Sequence, residues 1–320
     1  MLLHTGILPK SRKFKLRNFV LPARYKRFPF VYERANVCAI IPTYAPSDIT
    51  LRLVEDLLRW NPRLIVYVVD DCTPLEHRNT AVLLERMVSI SIRVRMLRTS
   101  RNTLKAGALN VALEHIFAGN NEYEPDVILT LDDDVVIDGT TIKNLVTELI
   151  GCDELGAVCS QCRVLNKNKN ILTRLQGLEY LGFNAIRLAD EGFFRGPLVM
   201  HGMLTAFRAT ALRVLVGFAE GHLIEDYEVT TRLKALGWSV KSASDAPAWT
   251  VVPKNLSTFW RQRTRWSYGG ITVVAGATHP LSVFQDIIGH VLFLSTISIV
   301  VVLLFSNSAG YVPPHIAKWI

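Results

Sequence analysis

Two stretches decide the fold: Val37-Cys38-Ala39-Ile40-Ile41-Pro42-Thr43-Tyr44 and Leu64-Ile65-Val66-Tyr67-Val68-Val69-Asp70-Asp71. Each is a short apolar run, rich in β-branched residues, that stops abruptly at polar ones. Runs of this kind fit strands buried on both faces; strands with one wet face would alternate. Between them, Asp48 to Trp60 sets Ile49, Leu53, Val54, Leu57 and Leu58 at helical spacing behind a Ser47/Asp48 cap. The order then repeats. Leu75 to Met87 reads as a helix, Ile92 to Leu97 as a strand, Leu104 to Phe117 as a helix and Val127 to Leu131 as a strand. This alternation predicts an α/β fold, a Rossmann-like, mostly parallel sheet with right-handed crossovers and helices on both faces.

Sheets of that class bind ligands beyond the carboxyl ends of their strands. The polar clusters fall there: Pro42-Thr43-Tyr44 after the first strand, Asp70-Asp71 after the second, Asp132-Asp133-Asp134 after the fourth. Three clusters at three strand ends point to one site. Adjacent carboxylates repel, and a hard divalent cation that also holds phosphate oxygens is a common way to keep them together. Alone, the acidic triplet fits a solvated turn equally well. Asp70-Asp71 suits hydrogen bonds from a base or ribose, or a turn before Pro74. No Gly-x-x-x-x-Gly-Lys-Ser/Thr loop is present, so phosphates are not expected in a P-loop.

Three later features bear on the same chemistry. Lys105 stands near the start of a helix with small residues behind it, suited to a phosphate or to plain exposure. Glu225-Asp226 follows Leu223-Ile224 and opens an amphipathic helix that ends at Gly237-Trp238, where acids also serve as ordinary caps. Gln262, Arg265 and Trp266 fall at i, i+3 and i+4 and share one helix face. Arg suits a diphosphate, Trp offers a flat surface to a sugar ring, and Gln bonds hydroxyls.

The chain has 320 residues, 49% hydrophobic and 20% charged, enough for a substantial core and against disorder. Five Cys exclude a disulfide scaffold. Cys159-x-x-Cys162 lacks a second pair and lies in a strand-like run, so no zinc site is expected. Residues 1–34 hold nine Lys and Arg against Glu33, which accounts for the whole net charge of +8. A nucleic-acid groove is therefore not expected. Residues 1–35, with Phe and Leu among the cations, read as an arm for an anionic membrane surface.

Ile287 to Phe305 is a 19-residue run without a formal charge, long enough to span a bilayer within a helix over 286–306. Arg261, Arg263 and Arg265 before it, against Lys318 after it, place the preceding domain in the cytoplasm. No cleavable signal peptide is recognisable at the N-terminus. The expected organisation is the arm, a catalytic domain over 36–255, aromatic and cationic interface helices over 256–285, one span, and a tail over 307–320.

In order, Pro42-Thr43-Tyr44, Asp70-Asp71, Lys105-Ala-Gly-Ala-Leu-Asn110, Asp132-x-Asp134, Glu225-Asp226 and Gln262-x-x-Arg265-Trp266 resemble the motifs of the family 2 inverting glycosyltransferases. The pattern is nearest the processive branch of cellulose, chitin, hyaluronan and poly-N-acetylglucosamine synthases, and it covers about residues 36–275. The resemblance implies a GT-A fold, a UDP-sugar donor and a Mg2+ or Mn2+ ion. The Pro42-Thr43-Tyr44 segment with Asp70 and Asp71 would line the uridine site, and Lys105 would approach the diphosphate. Asp132 and Asp133 would meet the donor, with Asp134, and Asp132 beside it, on the metal. Asp226, next to Glu225, would be the general base. Gln262, Arg265 and Trp266 would hold the acceptor end and the leaving diphosphate. His201-Gly202 corresponds to an acceptor-pocket loop, although His201 and Met203 depart from the usual residues.

The implied partners are a saccharide or lipid-linked acceptor and membrane lipids. One span cannot enclose a growing polymer. That leaves a truncated chain, a channel of several copies, or a transferase that does not secrete its product. A catalytically silent nucleotide-sugar-binding membrane protein is the competing class. A sugar-phosphate nucleotidyltransferase would share the strand-end acids but gives no reason for the Gln262-x-x-Arg265-Trp266 element.

Overall fold

The structure, a computed structural model, describes residues 32–74, 76, 78–118, 124–190, 194–276 and 282–289, with isolated positions up to 302. The first half runs β1 (Val37–Thr43), α1 (Asp48–Trp60), β2 (Ile65–Asp70), α2 (Arg78–Ile90), β3 (Val94–Arg98), α3 (Leu104–Phe117) and β4 (Val127–Leu131). The second half runs β5 (Val136–Ile137), α4 (Thr141–Ile150), β6 (Leu155–Val164), α5 (Ile171–Ala189), β7 (Leu204–Arg208), α6 (Ala209–Leu215), α7 (Glu225–Ala235), β8 (Ser239–Thr250) and α8 (Leu256–Gly276).

The strands form one eight-stranded sheet in the order β3-β2-β1-β4-β7-β6-β8-β5. From β3 to β4 all pairings are parallel, as the buried apolar runs predict. The reversal comes at β7, which is antiparallel to both β4 and β6, while β8 rejoins β6 in parallel and β5 closes the edge antiparallel to β8. Because β7 runs the other way, its first residue, Leu204, pairs with Leu131, the last residue of β4. The segment entering β7 therefore lies beside the acidic triplet that leaves β4.

Two apolar cores sandwich the sheet, one on each face. Leu53, Val54 and Leu57 of α1, Met87 of α2 and Leu145 of α4 fill one with no measurable exposure beyond 2%. Ala108, Leu109 and Ala112 of α3, Leu212 of α6 and Leu233 of α7 fill the other. Small residues, Ala106, Gly107, Ala108 and Ala112, lie on the buried face of α3. At Gly107 an added Cβ would lie 2.4 Å from Thr103 Cβ.

The Ser47 cap forms as read. Its hydroxyl accepts the Ile49 N–H, and Thr50 returns a bond to the Ser47 N–H, a reciprocal cap. The second helix is described from Arg78, and Leu75, its expected start, lies outside the described residues. Asp70 holds the backbone N–H and hydroxyl of Thr73 in a turn after β2. Pro42 sits inside β1, two residues past Ile40, the last β1 residue paired with β4, where its missing N–H leaves no gap in that ladder.

Of the arm expected over 1–35, residues 1–31 lie outside the described residues, as does much of the expected span over 287–305. Among the described residues no helix is long and apolar enough to cross a membrane. Cys159 and Cys162 are buried in β6.

Candidate active site

The carboxyl ends of β1, β2 and β4, the loop before β7 and the N-terminus of α7 meet on one side of the sheet. Backbone pairing sets this up: the Asp132 N–H donates to Met203 O at 3.0 Å, so the acidic triplet and the His201-Gly202-Met203 segment are stitched together.

Asp70 and Asp71 divide their work. Asp70 is 1% exposed and points inward, holding Thr73 through Oδ1 and pairing through Oδ2 with Arg98 at 3.2 Å. Asp71 Oδ1 accepts three bonds from the segment that enters α3: Thr99 Oγ1 at 2.9 Å, and Thr103 N and Oγ1 at 2.8 Å each. The pair thus shapes the corner where β2, β3 and α3 meet. Tyr44, at the end of β1, is half exposed beside it.

The acidic triplet fans out. Thr43 Oγ1 donates to Asp133 Oδ2 at 2.5 Å, and Thr250 Oγ1, at the end of β8, donates to Asp134 Oδ2 at 2.9 Å. Asp132 Oδ1 pairs with Lys105 Nζ at 2.6 Å. Burial pushes Asp133 up to about 6, against the Thr43 bond and with help from both neighbouring charges. Burial, and then the Asp132 charge, raise Asp134 as well. Crowded, partly desolvated carboxylates of this kind suit a hard divalent cation. Among the described residues no three His, Cys, Asp or Glu side chains converge on one point. Asp132 and Asp134 are the carboxylates at this edge that could hold such an ion, each now engaged by a protein partner, Lys105 for Asp132 and Thr250 for Asp134.

Lys105 is the hub. Besides Asp132, its ammonium pairs with Glu225 Oε1 at 2.8 Å and donates to Gly202 O at 2.9 Å. Burial opposes the charge, but Asp132, Glu225 and Asp226 outweigh it and hold the ammonium protonated. Burial likewise works to raise Glu225, yet the Lys105 charge and hydrogen bond, with smaller help from Arg265, bring it below the ordinary value.

Asp226 is different. Its Oδ2 accepts the Gly202 N–H at 2.6 Å and its Oδ1 the Tyr227 N–H at 2.7 Å. Burial and the Glu225 charge nevertheless push its pKa up to about 7, against Lys105 and the two N–H donors. With Lys105 and Glu225 it borders a small cavity whose lining mixes Thr130 and Thr205 with the apolar Leu109, Met200, Phe207 and Phe218. The Thr230 hydroxyl bridges the Asp226 carbonyl to the Met200 N–H, locking α7 to the loop before β7.

The His201 ring is buried against Ser160 O at 2.5 Å, and burial, then the Arg187 charge, push its pKa down to about 3. It reaches the site through the backbone of its loop rather than through its imidazole. Spacing alone gives no sign of that inward turn.

Helix α8 completes the wall. An added Cβ at Gly269 would meet Ile224 Cγ1 at 2.5 Å, so the helix rests directly on the segment before Glu225. Arg265 is exposed, within electrostatic reach of Glu225, and Trp266 is partly buried against the sheet core. Several partners escape a motif reading. Thr250, Thr103 and Thr99 hold motif carboxylates from outside any motif. Arg263, two residues before Arg265, stacks on Trp266 and pairs with Glu179 of α5.

Residues 35–269 match the family model described as "Glycosyltransferase like family 2". A poly-beta-1,6-N-acetyl-D-glucosamine synthase of Staphylococcus aureus is 26% identical over 247 residues, 76% of this chain and 57% of that protein. The first curated relatives are longer than the match, which covers 39% and 57% of their lengths. Among solved structures, the mannosyltransferase PcManGT from Pyrobaculum calidifontis, in complex with GDP-Man and Mn2+, superposes with a TM-score of 0.66 at 20% identity, covering 95% of this chain and 83% of that one. Glucosyl-3-phosphoglycerate synthase from Mycobacterium tuberculosis, with Mn2+, UDP and glucosyl-3-phosphoglycerate, reaches 0.50 at 14% identity, covering 79% and 86%. These likenesses agree on a GT-A-like fold, and the extent of the family match shows that the chain belongs to glycosyltransferase family 2.

Proposed function

We propose that the chain moves a sugar from a UDP-sugar to an acceptor hydroxyl with inversion at the anomeric carbon, in the manner of a β-linked polysaccharide synthase. The observation that carries this is the Lys105 bridge, which joins Asp132 to Glu225 and, through Gly202, to Asp226. It supports reading this edge as the diphosphate site, beside a carboxylate whose pKa burial and Glu225 push up to about 7. UDP rests on the motif resemblance. The two solved neighbours carry GDP-Man in one case and UDP in the other.

Tyr44, with Asp71 and Asp70 behind it, lines the nucleoside end. Asp132 and Asp134 would hold Mg2+ or Mn2+, which neutralises diphosphate charge when bound. Asp226, deprotonated, takes the proton of the acceptor hydroxyl as that oxygen attacks the anomeric carbon from the face opposite the diphosphate. The bond from carbon to the diphosphate oxygen breaks, and its electron pair leaves with the diphosphate. A base so placed contributes about 10²–10⁴-fold. Lys105 and Arg265 stabilise the charge that builds on the leaving group. Trp266 and Gln262 receive the acceptor, with the Gly202 backbone at its edge.

Membrane association is part of the reading. Leu256, Trp260, Tyr268 and Ile271 on α8, and Ile171, Leu175, Leu178, Leu181 and Ile186 on α5, are all exposed, a pattern suited to a bilayer surface. The expected single span over 287–305 would tether the domain on the cytoplasmic side. The same apolar faces favour a lipid-linked acceptor as the second reading. Purified protein in lipid vesicles, given a panel of nucleotide sugars with Mn2+ or Mg2+, tests the proposal. Cation-dependent UDP release is expected. No release from any donor would favour a catalytically silent sugar-nucleotide binder.

A further inference from the structure

The motif spacing singles out Arg265, yet the side chain that grips the motif's other members is Arg263. Its guanidinium carbon lies 4.1 Å from the centre of the Trp266 ring and 4.6 Å from that of Phe259, one turn earlier. Nη1 donates to Gln262 Oε1 at 2.8 Å, and Nη2 pairs with Glu179 Oε2 on α5. The Arg263 side chain is 17% exposed, against 33% for Glu179. A planar cation in contact with two rings, a carboxamide and a carboxylate has few orientations open to it. Lysine cannot reproduce this, because it lacks both the plane and the fork. Arg265, by contrast, is exposed.

We propose that Arg263, anchored by Glu179, is a positioning residue that sets the Trp266 ring and the Gln262 carboxamide for the acceptor. The inference rests on the reading of Trp266 and Gln262 as acceptor contacts. Its consequence is specific: loosening Arg263 disturbs acceptor binding and leaves the donor side alone. Among the described residues, the partners of Arg263 are Phe259, Gln262, Trp266 and Glu179, none of them at the Asp132–Lys105–Asp226 edge.

The test is steady-state transfer from UDP-N-acetylglucosamine to a β-1,6-linked N-acetylglucosamine tetramer, with acceptor-free donor hydrolysis measured alongside. Arg263→Lys should raise the acceptor KM about 10-fold and Glu179→Gln about 3-fold, while donor KM and hydrolysis stay at wild-type values. In a Trp266→Ala background the Arg263→Lys effect should largely disappear. Wild-type transfer with an unchanged acceptor KM in both variants would overturn the positioning role and leave the proposed function standing. Equal losses on the donor and acceptor sides would overturn it too, as would failure of both variants to fold, since the pair would then be a structural tie. A wild-type chain that neither transfers nor hydrolyses any nucleotide sugar of the panel above would sink the proposed function itself, and this inference with it.

Discussion

Gly202 donates its backbone N–H to Asp226 Oδ2 at 2.6 Å, and through its carbonyl it accepts from Lys105 Nζ at 2.9 Å. One residue without a side chain thus ties the carboxylate proposed as the base to the cation that faces the acidic triplet. The position admits little else. An added Cβ would lie 2.5 Å from Lys105 Nζ, 3.1 Å from Glu225 Oε1 and 3.2 Å from Asp226 Oδ2.

Gly202→Ala should therefore fold and lose turnover. The lysine end can swing aside, but doing so breaks its bond to the Gly202 carbonyl and shifts the cation off Asp132. A fall in kcat of about 10²-fold is expected, the lower end of what a positioned base contributes. Steady-state kinetics beside a circular dichroism spectrum checks it.

The pH profile follows from Asp226. With its pKa pushed up to about 7 by burial and Glu225, activity should climb as pH rises through 7, because only the ionised carboxylate accepts a proton. Stability should move the opposite way. A carboxyl whose folded pKa is raised contributes stability in full below the ordinary carboxylate range and loses it as pH rises through 7. Melting curves of metal-free protein from pH 4 to 9 should show that decline, and Asp226→Asn should reduce it, leaving the part that Asp133, raised to about 6, contributes.

Lys105→Met removes the cation shared by Asp132 and Glu225. Breaking a buried ion network by deleting one partner costs about 3–5 kcal/mol, and the partial exposure of this site argues for the low end, about 3 kcal/mol. The deficit should shrink below pH 4, where the abandoned carboxylates protonate. Denaturant unfolding at two pH values measures it.

How far the sequence foretold this molecule depended on whether a feature was local. Val37–Thr43 and Val127–Leu131 announce themselves because a strand buried on both faces must be apolar throughout. Asp48–Trp60 does so because Ser47 caps it. The insertion of Leu204–Arg208 between β4 and β6 was not legible, since periodicity names an element but not its neighbours. In the site, the acids were legible as strand-end residues, but not their directions. Asp70 turns inward because Arg98 and Thr73 meet it there. Likewise, which arginine near Trp266 grips its ring depends on where Glu179 stands, 84 positions earlier in the chain. No window of sequence holds both.

For the metal, Mn2+ added with UDP should raise the melting temperature of the wild type. Ligand at 100 times its dissociation constant stabilises by about 2.7 kcal/mol. Asp134→Asn should remove most of that gain, while UDP alone should give little in either protein. A full Mn2+ effect in the variant would move the ion away from Asp134.

The account depends most on Asp226 as the acceptor's base. The decisive measurement is UDP-sugar binding and transfer side by side in wild type and Asp226→Asn, the latter isosteric and still able to accept the Gly202 N–H. The variant should bind donor within about two-fold of the wild type, yet transfer at least about 10²-fold more slowly, at every pH. Transfer at the wild-type rate with intact donor binding would contradict the assignment outright.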